Sequence, residues 1–150
     1  MLVSFVEFNK IHIKMVGLLN VNGCHMPSSK GTISACLVVY NEEAVIERCL
    51  QSIKGQVDEI IVVHDGPCAD KTLEIAKRYT DKIFVRDHAG VMEAHLVFAF
   101  QQAQSEWLFR IDADEFLDVE GFLKIKEAIR SDVTDALILN WEMILSLYIL

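Results

Sequence analysis

Ile33-Ser34-Ala35-Cys36-Leu37-Val38-Val39-Tyr40-Asn41-Glu42-Glu43 is the stretch that decides the fold. From Ile33 to Tyr40 it is a nearly continuous apolar run, without the alternation of a half-solvated strand. That is the pattern of a strand buried on both faces, as in a parallel sheet. Asn41 then offers a helix N-cap, and Glu42 and Glu43 fall in the electropositive first turn. Ile46, Cys49, Leu50 and Ile53 follow at the i, i+3, i+4, i+7 spacing of an amphipathic helix, and Gly55 stops it.

The same alternation continues downstream. Glu59 to His64 is predicted as a second strand, and Asp70 as the cap of a helix carrying Leu73, Ala76 and Tyr79. Lys82 to Arg86 makes a short third strand. Met92, His95, Leu96, Ala99 and Ala103 mark a third helix, and Trp107 to Ile111 a fourth strand. Asp118 opens a fourth helix with Phe122, Ile125 and Ile129 inward, and Ala136 to Leu139 is predicted as a fifth strand. Strands and helices alternating over short connections specify an α/β fold, a mostly parallel Rossmann-like sheet with helices on both faces. Right-handed crossovers favour the order 3-2-1-4, which places a switch point between strands 1 and 4, and ligands bind there beyond the carboxyl ends of the strands.

Residues 1–31 show no clear period and read as an N-terminal extension, with Met26-Pro27-Ser28-Ser29-Lys30-Gly31 as a linker. The functional unit is expected over residues 32–150. The closing run Met143 to Leu150 is apolar, so it either packs inside or belongs to a domain truncated at its C-terminus, and it offers a surface for self-association. The chain has 150 residues, 52% of them apolar, enough for one packed domain. A net charge of −8 disfavours nucleic-acid binding and charge-driven attraction to anionic lipid. The four cysteines include no C-x-x-C pair and read as buried free thiols in a reducing compartment; a zinc site at Cys68 with His64 or His88 has no supporting ligand spacing. No apolar run reaches the length of a membrane span and no basic leader precedes the apolar start. The expected location is cytoplasmic, with the inner face of a membrane as the alternative.

Three loops follow strands 1, 2 and 4 and meet at one edge: Tyr40-Asn41-Glu42, His64-Asp65-Gly66-Pro67 and Asp112-Ala113-Asp114. In an extended segment residues i and i+2 point the same way, so Asp112 and Asp114 can address one divalent cation, Mg²⁺ or Mn²⁺ for such hard oxygens. Like charges this close raise one another's pKa unless a cation neutralises them. Glu42, Glu43 and Asp70 have a plainer reading as helix-end residues. No G-x-x-x-x-G-K-[ST] loop and no G-x-G-x-x-G follows strand 1, and Asn-Glu-Glu there cannot cradle a bare phosphate. These features point to a metal-dependent user of nucleotide diphosphate esters.

The segments Ile33 to Glu43, Asp58-Glu59-Ile60-Ile61-Val62-Val63-His64-Asp65-Gly66 and Asp112-Ala113-Asp114-Glu115, in that order, resemble the family 2 glycosyltransferases with the GT-A fold, over roughly Thr32 to Trp141. The resemblance implies a nucleotide-diphosphate sugar donor and an unidentified acceptor hydroxyl. It implies that Val38 and Tyr40 line the base pocket, that Asp65 hydrogen-bonds the base, and that Glu42 and Ala113 border the donor. Asp112 would face the ribose and the metal shell, and Asp114 would ligate the Mg²⁺ or Mn²⁺ that bridges the diphosphate. Transfer is expected to invert the anomeric carbon. The family often carries two acidic residues where this chain has His64-Asp65, and a basic residue within what is here Gly90 to Leu96. Arg110 is expected to offset the charge of the acidic pair. The acceptor pocket and catalytic base lie in the family's second half, and no base is identified. Two other classes compete: a nucleotidyltransferase, which would need a Gly-rich basic loop after strand 1, and a non-catalytic remnant or partner-completed module that at most binds nucleotide.

Overall fold

The computed structural model describes residues 31–130. The predicted fifth strand, the extension before Gly31 and the apolar run from Met143 lie outside the described residues. Within them the elements alternate: β1 (Ile33–Val39), α1 (Ile46–Ile53), β2 (Glu59–Asp65), α2 (Thr72–Ala76), β3 (Ile83–Arg86), α3 (Glu93–Gln101), β4 (Trp107–Arg110) and α4 (Val119–Arg130). The four strands pair in parallel in the order β3-β2-β1-β4. This is the expected topology, with the switch point between β1 and β4.

Every residue of β1 is buried, as its nearly continuous apolar run requires, and the one polar member, Ser34, is bonded to Glu59 Oε1 at 2.7 Å. Its side chains divide between two cores. Ile33, Ala35, Leu37 and Val39 face one side, where Ile46, Cys49, Leu50 and Ile53 of α1, Ala76 of α2 and Phe122, Ile125 and Ile129 of α4 cover them. Cys36 and Val38 face the other, with Ile61 and Val63 of β2, under Ala99 of α3. Fully buried side chains such as Ile46, Leu50 and Ile53 each contribute about 1.5–3 kcal/mol of transfer free energy. The outer stripe of α3, Glu93, Val97 and Gln101, mixes polar and apolar side chains, while Leu96, Phe98 and Phe100 pack partly against the sheet.

Helix ends follow the sequence in three places and depart from it in one. Gly55 takes φ +77° just beyond α1, where a side chain would be strained. Asp118 Oδ1 accepts the Gly121 N–H at 2.7 Å and caps α4. Asp70 Oδ1 accepts the Thr72 N–H at 2.8 Å at the start of α2. Asn41, by contrast, does not cap α1. The helix begins only at Ile46, and Asn41 sits in the left-handed region at φ 52°, which asparagine tolerates. Its side chain is used elsewhere, accepting the Ala69 N–H at 2.8 Å.

Candidate functional site

The loops after β1 and β2 are laced together by backbone donors and side-chain acceptors. Glu42 N–H donates to Thr72 Oγ1 at 2.6 Å, Glu43 N–H to Asp70 Oδ2 at 3.0 Å, and Lys71 N–H to Glu43 Oε2 at 2.9 Å. Beneath them His64 is wholly buried. Its Nδ1 lies 2.7 Å from the Gly66 carbonyl and its Nε2 accepts the Asn41 N–H at 3.2 Å. One neighbour is an acceptor and the other a donor, so the ring is neutral with its proton on Nδ1. Asp70 is pushed up by burial, but the bonds from Thr72, Glu43 and Cys68 outweigh this and hold it at about 2. Glu43 and Asp70 are therefore loop braces, close to the capping role expected of them.

This lacing uses the Glu43 carboxylate, whereas the Glu42 carboxylate feels the charges of the acidic turn after β4. Burial raises the Glu42 pKa, and the charges of Asp114, Asp112 and Asp70 raise it further. Glu42, Asp112 and Asp114 are thus within electrostatic reach of one another and of Asp70, whereas Asp65, the acid expected to join them from the loop after β2, is not among them. The local geometry differs from the sequence expectation in a second respect. Strand β4 ends at Arg110, and Asp112 to Glu115 form a turn closed by the Glu115 N–H on the Asp112 carbonyl at 3.0 Å. Asp112 and Asp114 are consequently not two alternate residues of a strand. Asp112 is half-buried and paired with Arg110 at 3.2 Å, as expected of that arginine, whereas Asp114 is exposed. Ala113 is buried between them.

Glu115 is the residue that sequence reasoning passed over. It is buried, and its Oε2 accepts the Asp112 N–H at 3.0 Å. Burial pushes its carboxyl up to about 7; the Asp112 N–H opposes this, and the charges of Asp112 and Asp114 add to it. The signal was available as a third acidic letter directly after Asp-Ala-Asp, in a segment that also contributes Leu117 to the core.

Asp65 lies apart from this group. Its side chain is 4% exposed. Oδ1 accepts the Ala89 N–H at 2.6 Å and His95 Nε2 at 2.8 Å; Oδ2 accepts the Gly90 N–H at 3.1 Å and stands 3.1 Å from His88 Nδ1. The Ala89 bond is the strongest influence holding the carboxyl down at about 2, against the cost of burial and with help from His95, Gly90 and His88. Asp65 thereby ties the segment after β3 to the end of β2. Tyr40 is exposed and stacks on His88 with ring centroids 4.9 Å apart. Val38 is buried on the α3 side of the sheet.

Among the described residues no three His, Cys, Asp or Glu side chains form a ready cage for a metal ion. Two carboxylates suffice for Mg²⁺-like ions when substrate phosphates complete the shell, so Asp112 and Asp114 fit that mode and not a dedicated protein cage. No helix among the described residues is long and apolar enough to cross a membrane.

A four-stranded parallel sheet of this order with helices packed on both faces is an α/β domain of the GT-A type. The chain belongs to glycosyl transferase family 2, whose family model matches residues 34–146. An uncharacterized glycosyltransferase of Rickettsia bellii is 40% identical over 88 residues, covering 59% of this chain and 29% of that protein. The SPbeta prophage-derived glycosyltransferase SunS of Bacillus subtilis is 29% identical over 132 residues, covering 87% of this chain and 31% of its own length. The crystal structure of S. aureus TarS 1-349 in complex with UDP superposes with a TM-score of 0.56 at 25% identity, covering 67% of this chain and 32% of that one. The chain thus spans less than a third of the length of each. It corresponds to an N-terminal part of the family's domain.

Proposed function

We propose that this chain is the donor-binding part of a metal-dependent glycosyltransferase, which passes a sugar from a nucleoside diphosphate to an acceptor hydroxyl with inversion. The observation that carries this reading is the convergence of Glu42, Asp112 and Asp114 at the switch point, felt as the raised Glu42 pKa. Such a rim repels a diphosphate unless a cation lies between them. Bound there, Mg²⁺ or Mn²⁺ would supply Lewis-acid stabilisation to the departing diphosphate. Asp112 and Asp114 hold the cation side. Arg110 keeps Asp112 oriented through the pair described above. Glu42 and Ala113 border the donor, and Tyr40 and the Asp65 cluster form the base side; Val38, expected to line the base pocket, is buried under α3 and backs that wall from within. A UDP-type donor is the working choice, since the solved TarS complex contains UDP. The catalytic base and acceptor pocket are assigned to the part of the domain that relatives carry beyond this chain's span.

Calorimetry with UDP tests this reading. Binding is expected with Mn²⁺ and absent with EDTA. Asp114→Ala is expected to weaken Mn²⁺-dependent binding by about 100-fold, in line with loss of a charge-assisted metal contact. Equal UDP affinity in EDTA, or an Asp114→Ala variant indistinguishable from the parent chain, contradicts it.

A further inference from the structure

Helix α1 is tied to both sides of the acidic rim. Its first turn hangs from the Glu42 carbonyl, which accepts the Val45 N–H at 3.1 Å and the Ile46 N–H at 3.0 Å. One turn on, the same helix reaches the turn after β4 at three points. The Cys49 thiol donates to the Asp112 carbonyl at 3.5 Å. The Arg48 guanidinium lies over the Phe116 ring, 3.6 Å from its centroid. Ser52 Oγ donates to the Cys49 carbonyl at 2.7 Å and accepts the Leu117 N–H at 3.3 Å. Arg48 and Ser52 are an i, i+4 pair and Cys49 and Ser52 an i, i+3 pair, so neighbouring positions on one side of the helix make all three contacts.

These contacts bracket the acidic residues. The Asp112 carbonyl takes two donors, the Cys49 thiol and the Glu115 N–H, and the Asp112 N–H goes to Glu115 Oε2. Ala113, Glu115 and Leu117 are buried, Asp112 and Phe116 are half-buried, and Asp114 is the exposed member of the turn. Burial pushes the Cys49 thiol up, and the charges of Glu115, Asp114 and Asp112 add to this, so the thiol keeps its proton and remains a donor. The Ser52 proton is committed to the Cys49 carbonyl, which leaves a hydroxyl lone pair for Leu117.

We propose that Arg48, Cys49 and Ser52 are positioning residues for the divalent cation: through them helix α1 fixes the turn over residues 112–117, and with it the Asp114 carboxylate, relative to Glu42 before the cation arrives. The inference deepens the metal-dependent reading above and rests on it. Mg²⁺ demands near-ideal octahedral oxygens, whereas Ca²⁺ accepts irregular ones. A turn held at both ends suits the stricter ion, and a slack turn gives up that preference first.

The test is calorimetry of UDP on the full chain with Mg²⁺ and with Ca²⁺, beside amide hydrogen exchange on the metal-free chain. Ser52→Ala removes the acceptor for Leu117 and places a stronger helix former in α1, so the fold is kept. Its Leu117 amide should exchange about tenfold faster than in the parent chain, the scale of one lost hydrogen bond. Its UDP affinity should fall about tenfold with Mg²⁺, the lower end of the range for removing a group that orients a metal ligand, and by less than about twofold with Ca²⁺. Ser52→Thr keeps the hydroxyl and should restore both the protection and the Mg²⁺ preference. A Ser52→Ala variant that keeps the parent's ratio of Mg²⁺-supported to Ca²⁺-supported affinity overturns the inference, whether both affinities fall or neither does. A parent chain that binds UDP equally with the two cations overturns it as well. Unchanged Leu117 exchange in Ser52→Ala refutes the grip of α1 alone and leaves the nucleotide reading standing. Failure of the parent chain to bind UDP with any divalent cation takes down that reading, and this inference with it.

Discussion

Two sets of acidic side chains lie at the carboxyl edge of the same sheet and are built in opposite ways. Asp65, at the end of β2, is buried, surrounded by donors and held at about 2. Glu42 and Glu115, beside the turn after β4, are raised by burial and by their acidic neighbours. The first is a satisfied carboxylate, and a satisfied buried group rigidifies what it touches. The second set carries charge that, among the described residues, Arg110 offsets through its pair with Asp112 and its influence on Glu115. Internal satisfaction marks scaffold, and uncompensated charge marks the place where a ligand has to supply the counter-charge. On this basis Asp65 orders the wall of the pocket, and Asp112 and Asp114 meet the donor.

The contrast can be broken by mutation. The largest effect is expected at Asp65. Asp65→Ala strands two backbone N–H groups and two histidines, and the melting temperature should fall by on the order of 10 °C at neutral pH, given the few kilocalories involved and the size of the domain. Asp65 has a folded pKa below its unfolded value, so its contribution is full above the ordinary aspartate value and is lost as pH falls toward about 2. The gap between the parent chain and Asp65→Ala should therefore close across that acid window in thermal melts. A gap that persists unchanged down to pH 2 would show that the carboxylate's charge is not what holds the segment after β3. A smaller effect of opposite sign is expected in the other set. Glu42→Gln removes one like charge from the rim, and in EDTA at low salt it should raise the melting temperature by about 2 °C, less as salt screens the repulsion. A drop in stability would mean that Glu42 is braced like Glu43, and the contrast would lose one side.

Most of the sheet was legible because β1, β2 and β4 are mostly apolar along their lengths and because Asp70, Asp118 and Gly55 sit where helix ends need them. Asn41 misled for a physical reason. An asparagine before an acidic pair looks like a cap, but its side chain has a long-range alternative in the Ala69 N–H, which local pattern cannot reveal. The Asp-Ala-Asp geometry was misjudged by a single residue: the ladder ends at Arg110, and the Glu115 N–H closes a turn that redirects Asp114 outward. The nearness of Glu42 to the turn after β4 does not depend on side-chain alternation, because β1 and β4 are neighbours in the sheet; Asp65, expected in the same group, is instead bonded to the segment after β3. His88 and His95 were not legible as partners of Asp65, since sequence separations of 23 and 30 residues carry no pairing signal.

The most direct measurement is a crystal structure of the chain soaked with Mn²⁺ and UDP, with anomalous data to locate the metal. The predicted result is a Mn²⁺ peak shared by Asp112, Asp114 and the diphosphate, with Asp65 still bonded to Ala89 and Gly90. UDP bound with no metal at that turn, or a metal seated on Asp65, contradicts the division between a scaffold carboxylate and a ligand-binding pair.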